Sequence, residues 1–142
     1  MEDLRTLLPR GSILIVDDST EWRAIVREIL KAQPGLQLVA EACDGLDAVY
    51  KATKLRPDLV LLDIGMPVMN GLDAADTIRQ VSPRSRIVFL TQEDDAGFIF
   101  NTYPCAPAPS AASRMSASQL LSTIAAVLRN GHHPLSAYVF PV

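Results

Sequence analysis

The chain has 142 residues, 49% of them hydrophobic and 20% charged. That length suits one domain, and that balance excludes disordered and collagen-like chains, which cannot bury an apolar core. With 13 basic against 16 acidic side chains the formal charge is -3, which excludes a chain-wide attraction to phosphate backbones or anionic membranes. Direct nucleic-acid binding by this chain is therefore not expected.

Cys43 and Cys105 lack the spacing of a metal or redox motif and the density of a disulfide scaffold, so they read as two buried free thiols in a reducing compartment. No apolar run approaches the roughly 18 to 20 residues that a spanning helix needs. Glu2 and Asp3 stand where a signal peptide would be basic. The expectation is a cytoplasmic protein without a membrane partner.

In chain order, Ser12-Ile13-Leu14-Ile15-Val16 is a continuous apolar run closed by Asp17-Asp18, the pattern of a strand buried on both faces. Trp22, Ile25, Val26, Ile29 and Leu30 then recur at helical spacing, up to Pro34-Gly35. Leu36 to Ala42 predicts a second strand, and Leu46, Val49, Ala52 and Leu55 predict a second helix that stops before Pro57. Leu59 to Leu62 predicts a third strand ending at Asp63; Leu72, Ala75 and Ile78 mark a third helix before Ser82-Pro83. Ile87 to Leu90 predicts a fourth strand ending at Thr91, and Leu120, Leu121, Ile124, Val127 and Leu128 mark a last helix closed by Arg129-Asn130-Gly131.

Buried strands alternating with amphipathic helices predict a doubly wound α/β sandwich on a parallel sheet, because right-handed crossovers put helices on both faces. With no internal repeat and no linker, the whole of 1–142 reads as a single domain with its core at about 11–131. One stretch departs from the alternation. From Ala96 to Ser113 there is no Asp, Glu, Lys or Arg, and Pro104, Pro107 and Pro109 interrupt the place where a fourth helix and a fifth strand are due.

Asp17, Asp18, Asp63 and Thr91 each follow an apolar strand, and in an open parallel sheet adjacent strand ends converge on one crevice. Taken singly, Asp17, Asp18 and Asn70 could each be helix caps or turn formers. Taken jointly, three carboxylates at one sheet edge repel one another, and an all-oxygen ligand set suits a hard divalent cation such as Mg²⁺. A carboxylate beside such an ion can act as a nucleophile towards phosphorus.

Ile13-Leu14-Ile15-Val16-Asp17-Asp18, the run from Asp63-Ile64-Gly65-Met66-Pro67 to Gly71, and Val88-Phe89-Leu90-Thr91 together resemble the receiver domain of bacterial two-component response regulators. The resemblance holds through residue 91 and again from about 115 to 136. It implies a flavodoxin-like fold, a five-stranded parallel sheet in the order 2-1-3-4-5. It further implies that Asp63 accepts a phosphoryl group from a sensor histidine kinase, the chain's expected partner. Mg²⁺ would be held by Asp18 directly, Asp17 through water, Asp63 and the backbone carbonyl of Gly65, and Thr91 would bind the phosphoryl group. On this reading the chain is a phosphoacceptor, not an enzyme turning over a separate substrate.

The family's lysine after the fifth strand falls at Ser113 or Arg114, with Arg114 as the substitute, and its aromatic switch residue falls on Ser110 or Ala111. The alternative reading is thus a degenerate receiver that serves as a constitutive dimerisation or docking module. Phe98, Ile99, Phe100 and Tyr103 form the candidate homodimer contact. The ending near Leu135-Ser136 resembles regulators that continue into a helix-turn-helix output domain, which implies a role in transcription. A phosphohydrolase with an aspartyl nucleophile would place a second Asp where Gly65 stands. Adjacent His132 and His133 read as a solvated helix end, and Trp22 and Cys43 as core.

Overall fold

A computed structural model describes residues 10–63, 66, 69–91, 105–107, 117–129 and 137–141. The elements, in chain order, are β1 (Gly11–Val16), α1 (Thr20–Lys31), β2 (Leu36–Ala42), α2 (Gly45–Leu55), β3 (Leu59–Asp63), α3 (Gly71–Val81), β4 (Arg86–Thr91), β5 (Cys105–Pro107), α4 (Ala117–Arg129) and β6 (Ala137–Pro141). Every strand pairing is parallel, in the order β2-β1-β3-β4-β6-β5.

The doubly wound flavodoxin-like arrangement expected from the sequence is present, with the order 2-1-3-4 running as anticipated. Beyond β4 the sheet departs in detail. The position beside β4 is filled by β6, from the segment read as a tail, and the short β5 lies outermost. Ala137-Tyr138-Val139-Phe140 is an apolar, aromatic and β-branched run that a sheet accepts readily. Pro107 lacks the N–H that a central strand must donate, so β5 suits an edge. The expected fourth helix between Thr91 and the fifth strand, and the apolar cluster Phe98 to Tyr103, lie outside the described residues.

Two apolar layers hold the helices to the sheet. Leu14, Val16, Val60, Leu62, Ile87 and Phe89 face α2 and α3, where they meet Ala48, Ala52, Leu72, Ala75 and Ile78. Ile13, Ile15, Leu59, Leu61, Val88 and Leu90 face α1 and α4, where they meet Val26, Leu30, Leu120, Ile124 and Val127. Successive strand residues thus supply opposite layers, which explains why these strands are uninterrupted apolar runs.

Two of the predicted helix faces need correction. In α1, Val26 and Leu30 are buried while Ile25 is 48% exposed. In α2 the buried residues are Gly45, Ala48 and Ala52, whereas Leu46, Tyr50 and Leu55 are exposed. Small side chains let α2 lie close to the sheet, and side-chain size therefore misreports its inward face. Cys43, expected in the core, is exposed at the end of β2.

Helix termini follow local chemistry. Ser19, Asp44 and Asn70 are the N-caps of α1, α2 and α3, each accepting a hydrogen bond from a backbone N–H three residues on. Helix α2 ends at Arg56 in left-handed geometry, φ 45°, directly before Pro57.

Leu61 is completely buried in the layer beneath α1 and α4. Leu61→Ala should lower unfolding stability by about 2–5 kcal/mol through lost burial and a residual cavity. A urea titration checks this, with a lower midpoint and an unchanged slope expected.

A three-carboxylate site at the carboxyl edge of the sheet

Strand register builds the site. Val16 pairs with Leu62 across β1 and β3, so the next residues, Asp17 and Asp63, emerge side by side at the sheet's carboxyl edge. Asp63 pairs in turn with Leu90, which puts Thr91 one residue further along β4. One oxygen from each of Asp17, Asp18 and Asp63 lies within 4.8 Å of the others. Asp17 is buried, Asp63 half-buried and Asp18 exposed, so the cluster opens to solvent on one side.

The turn between β1 and α1 is tightly hydrogen-bonded. The Asp17 amide extends the β1–β2 ladder by donating to the Ala42 carbonyl at 3.1 Å. Asp17 Oδ1 accepts the Ser19 N–H at 2.8 Å, and the Asp17 carbonyl accepts from Arg23 Nη1 at 2.6 Å. Ser19, and neither aspartate, caps α1. Asp17 and Asp18 are left to face the crevice, and only Asn70 of the three candidate caps acts as one.

Burial pushes the Asp17 carboxyl up from the ordinary 3.8 to about 6, and the neighbouring charges of Asp63 and Asp18 push the same way; the Ser19 N–H opposes them. A site that penalises the ionised form of Asp17 is suited to a cation, and a trio of carboxylates suits a hard one. The residues present therefore fit a divalent ion such as Mg²⁺.

Of the site residues anticipated from sequence, Asp17, Asp18 and Asp63 are brought together, and Thr91 is placed at the adjoining strand end. Gly65 and Arg114 lie outside the described residues.

Gly45 was not anticipated. A Cβ at this first residue of α2 would lie 2.5 Å from the Met69 carbonyl oxygen, in the loop that leads from Asp63 to α3. The glycine lets Met69 lie against the helix. Its only signal in the sequence is its place after the capping Asp44.

The fold and the acidic crevice define a class, namely α/β domains with a carboxylate pocket at the strand ends. Residues 13–103 match the response regulator receiver domain, and the chain belongs to that family. It is 30% identical over 129 residues to the transcriptional regulatory protein DegU of Brevibacillus brevis, a match covering 91% of this chain and 52% of that protein. A protein-glutamate methylesterase/protein-glutamine glutaminase 1 of Methanosarcina acetivorans is 47% identical over 78 residues, 55% of this chain and 22% of that protein. The crystal structure of a LuxR-family two-component response regulator from Aurantimonas sp. SI85-9A1 superposes with a TM-score of 0.70 at 27% identity, over 85% of this chain and 86% of that one. The chain thus matches only about a fifth to a half of the length of these curated relatives. Among the described residues no helix is long and apolar enough to cross a membrane.

Because the folded chain holds the Asp17 proton more tightly than the unfolded chain, metal-free stability falls as pH rises from about 4 through about 6. Asp17→Asn keeps the acceptor for Ser19 and removes the charge. In the presence of chelator this variant should melt on the order of 5 °C higher than the parent at pH 7.5, with the gain shrinking as pH approaches 4. Gly45→Ala should cost about 1–3 kcal/mol by forcing the Met69 loop away, measurable by the same thermal melts.

Proposed function

We propose that Asp63 is the phosphoryl acceptor of this receiver domain, that a sensor histidine kinase is the donor, and that Mg²⁺ is the cofactor. The observation that carries the reading is the convergence of Asp17, Asp18 and Asp63 within 4.8 Å at the sheet edge. Asp63 ends β3 half-buried, beside the buried Asp17 and the exposed Asp18. A carboxylate oxygen of Asp63 would form the new bond to phosphorus while the bond from phosphorus to the donor's leaving atom breaks, giving an aspartyl phosphate.

Asp17 and Asp18 would hold the cation together with Asp63, and the Gly65 carbonyl would join them as the resemblance implies. When bound, the ion supplies charge neutralisation for the phosphoryl oxygens. The chain's own contribution is positional. The β1–β3 register sets the Asp17–Asp63 spacing, and the Ser19 N–H fixes the Asp17 carboxylate. Thr91 is proposed to sense the product, and Arg114 to stand in for the family's lysine. The added charge of about -1.5 to -2 would shift a population of surface conformations.

Similarity to DegU across 91% of the chain supports a role in transcription regulation, carried out through the larger regulator of which such receivers form part.

Incubation with Mg²⁺ and a small acyl phosphate donor should add one phosphoryl group, read by intact mass. Asp63→Asn and removal of Mg²⁺ by chelator should each abolish the gain. A parent protein that binds Mg²⁺ yet never gains phosphate would leave the docking-module reading in its place.

A further inference from the structure

We propose that Arg23 is a positioning residue for the Asp17–Asp18 turn, bridging it to Glu41 on β2 so that the turn holds its shape as a cation site; the inference rests on the proposed metal role of those aspartates. Arg23 lies on α1, and its fork spans two elements. Nη1 donates to the Asp17 carbonyl at 2.6 Å, and Nε lies 3.3 Å from Glu41 Oε1. The side chain is only 16% exposed. A planar guanidinium can serve both acceptors at once, which a lysine ammonium on a flexible stem does poorly.

Glu41 is itself clamped. Arg27 donates Nε and Nη2 to its two carboxylate oxygens at 2.8 and 2.9 Å, and this pairing holds its carboxyl below the usual range. Lys51 donates to the Glu41 carbonyl at 2.5 Å and pairs with Asp47 at 2.9 Å. The anchor for Arg23 is therefore fixed from both the backbone and the side chain.

A β-bulge makes this geometry available. Ile13 pairs with Leu38 but Leu14 pairs with Ala40, so Val39 is an extra residue in β2. The shift places Glu41 opposite Ile15, whose side chain belongs to the layer under α1. Without the bulge Glu41 would pair with Val16 and face α2 and α3, away from Arg23 and Arg27. A device that costs one irregular ladder position thus turns one carboxylate towards α1.

Charge and position predict opposite signs. As a bare cation near the cluster, Arg23 would repel a second cation, and its loss would tighten Mg²⁺ binding. As the clamp on the Asp17 carbonyl, its loss frees the turn and weakens binding. Mutation of groups that orient metal ligands typically costs about 10–100-fold in affinity.

The experiment titrates Mg²⁺ into the parent, Arg23→Gln and Arg23→Lys by calorimetry at constant ionic strength, and measures amide hydrogen exchange at Ser19 without metal. Expected are unchanged circular dichroism, Mg²⁺ affinity at least about tenfold weaker in both variants, and faster Ser19 exchange as its bond to Asp17 Oδ1 loosens. Equal or tighter Mg²⁺ binding in Arg23→Gln, or full rescue by Arg23→Lys, overturns the proposal. Should Arg23→Gln lose its fold, Arg23→Lys, which keeps the charge and stem, decides by the same two readouts. A parent that binds no Mg²⁺ overturns the cation reading itself, whereas unchanged Ser19 exchange in the variants overturns the clamp alone.

Discussion

Repulsion among Asp17, Asp18 and Asp63 is the constraint on which this molecule turns, because a folded chain gains nothing from three carboxylate oxygens within 4.8 Å unless something else occupies the space. The backbone bears that repulsion. Asp17 is tied to the Ala42 carbonyl by its amide and to Ser19 by its carboxylate, and Asp63 is the last paired residue of β3. The two apolar layers on either face of the sheet keep the strand ends from separating, so the energy of core packing is what keeps the charges together.

That division of labour separates the ends of the sheet. At the amino ends of β1, β3 and β4, several polar groups satisfy one another. Asp58 accepts from the Ser12 N–H at 2.8 Å, and Ser85 joins the Pro57 carbonyl to Ser82. At the carboxyl ends Asp17 is raised to about 6, by burial first and then by the charges of Asp63 and Asp18. The acidic cluster thus lies at the carboxyl edge, where open α/β sheets bind their ligands.

The receiver family gives these features a common purpose, and similarity to regulators such as DegU covers the full run from the first strand into the last helix. The bulge in β2 adds a second layer of organisation. Val39 turns Glu41 to the α1 face, where Arg23 and Arg27 meet it, and Arg23 reaches on to the Asp17 carbonyl. A ladder irregularity remote in sequence from Asp17 and Asp18 is thereby linked to the turn that carries two of the three carboxylates.

Much of this was legible without tertiary information. Uninterrupted apolar runs such as Leu59-Val60-Leu61-Leu62 announce strands covered on both faces, and a polar residue after each run announces the functional edge, because both signals are local and periodic. The inward faces of α1 and α2 were less legible. Ile25 and Leu46 have the right spacing but lie exposed; in α2 it is glycine and alanines that are buried, so side-chain size misreports that face.

Amino-acid order alone determined the strand-helix alternation, the acidic trio and the family, because hydrophobic period and turn residues act over a few positions at a time. Only the three-dimensional packing decided that Ala137–Pro141 lies beside β4, that Gly45 makes room for Met69, and that Arg23 joins the Asp17 carbonyl to Glu41. Each of those joins residues remote in sequence or depends on a one-residue shift in register. Such relations carry no local period and emerge only when distant segments compete for the same space.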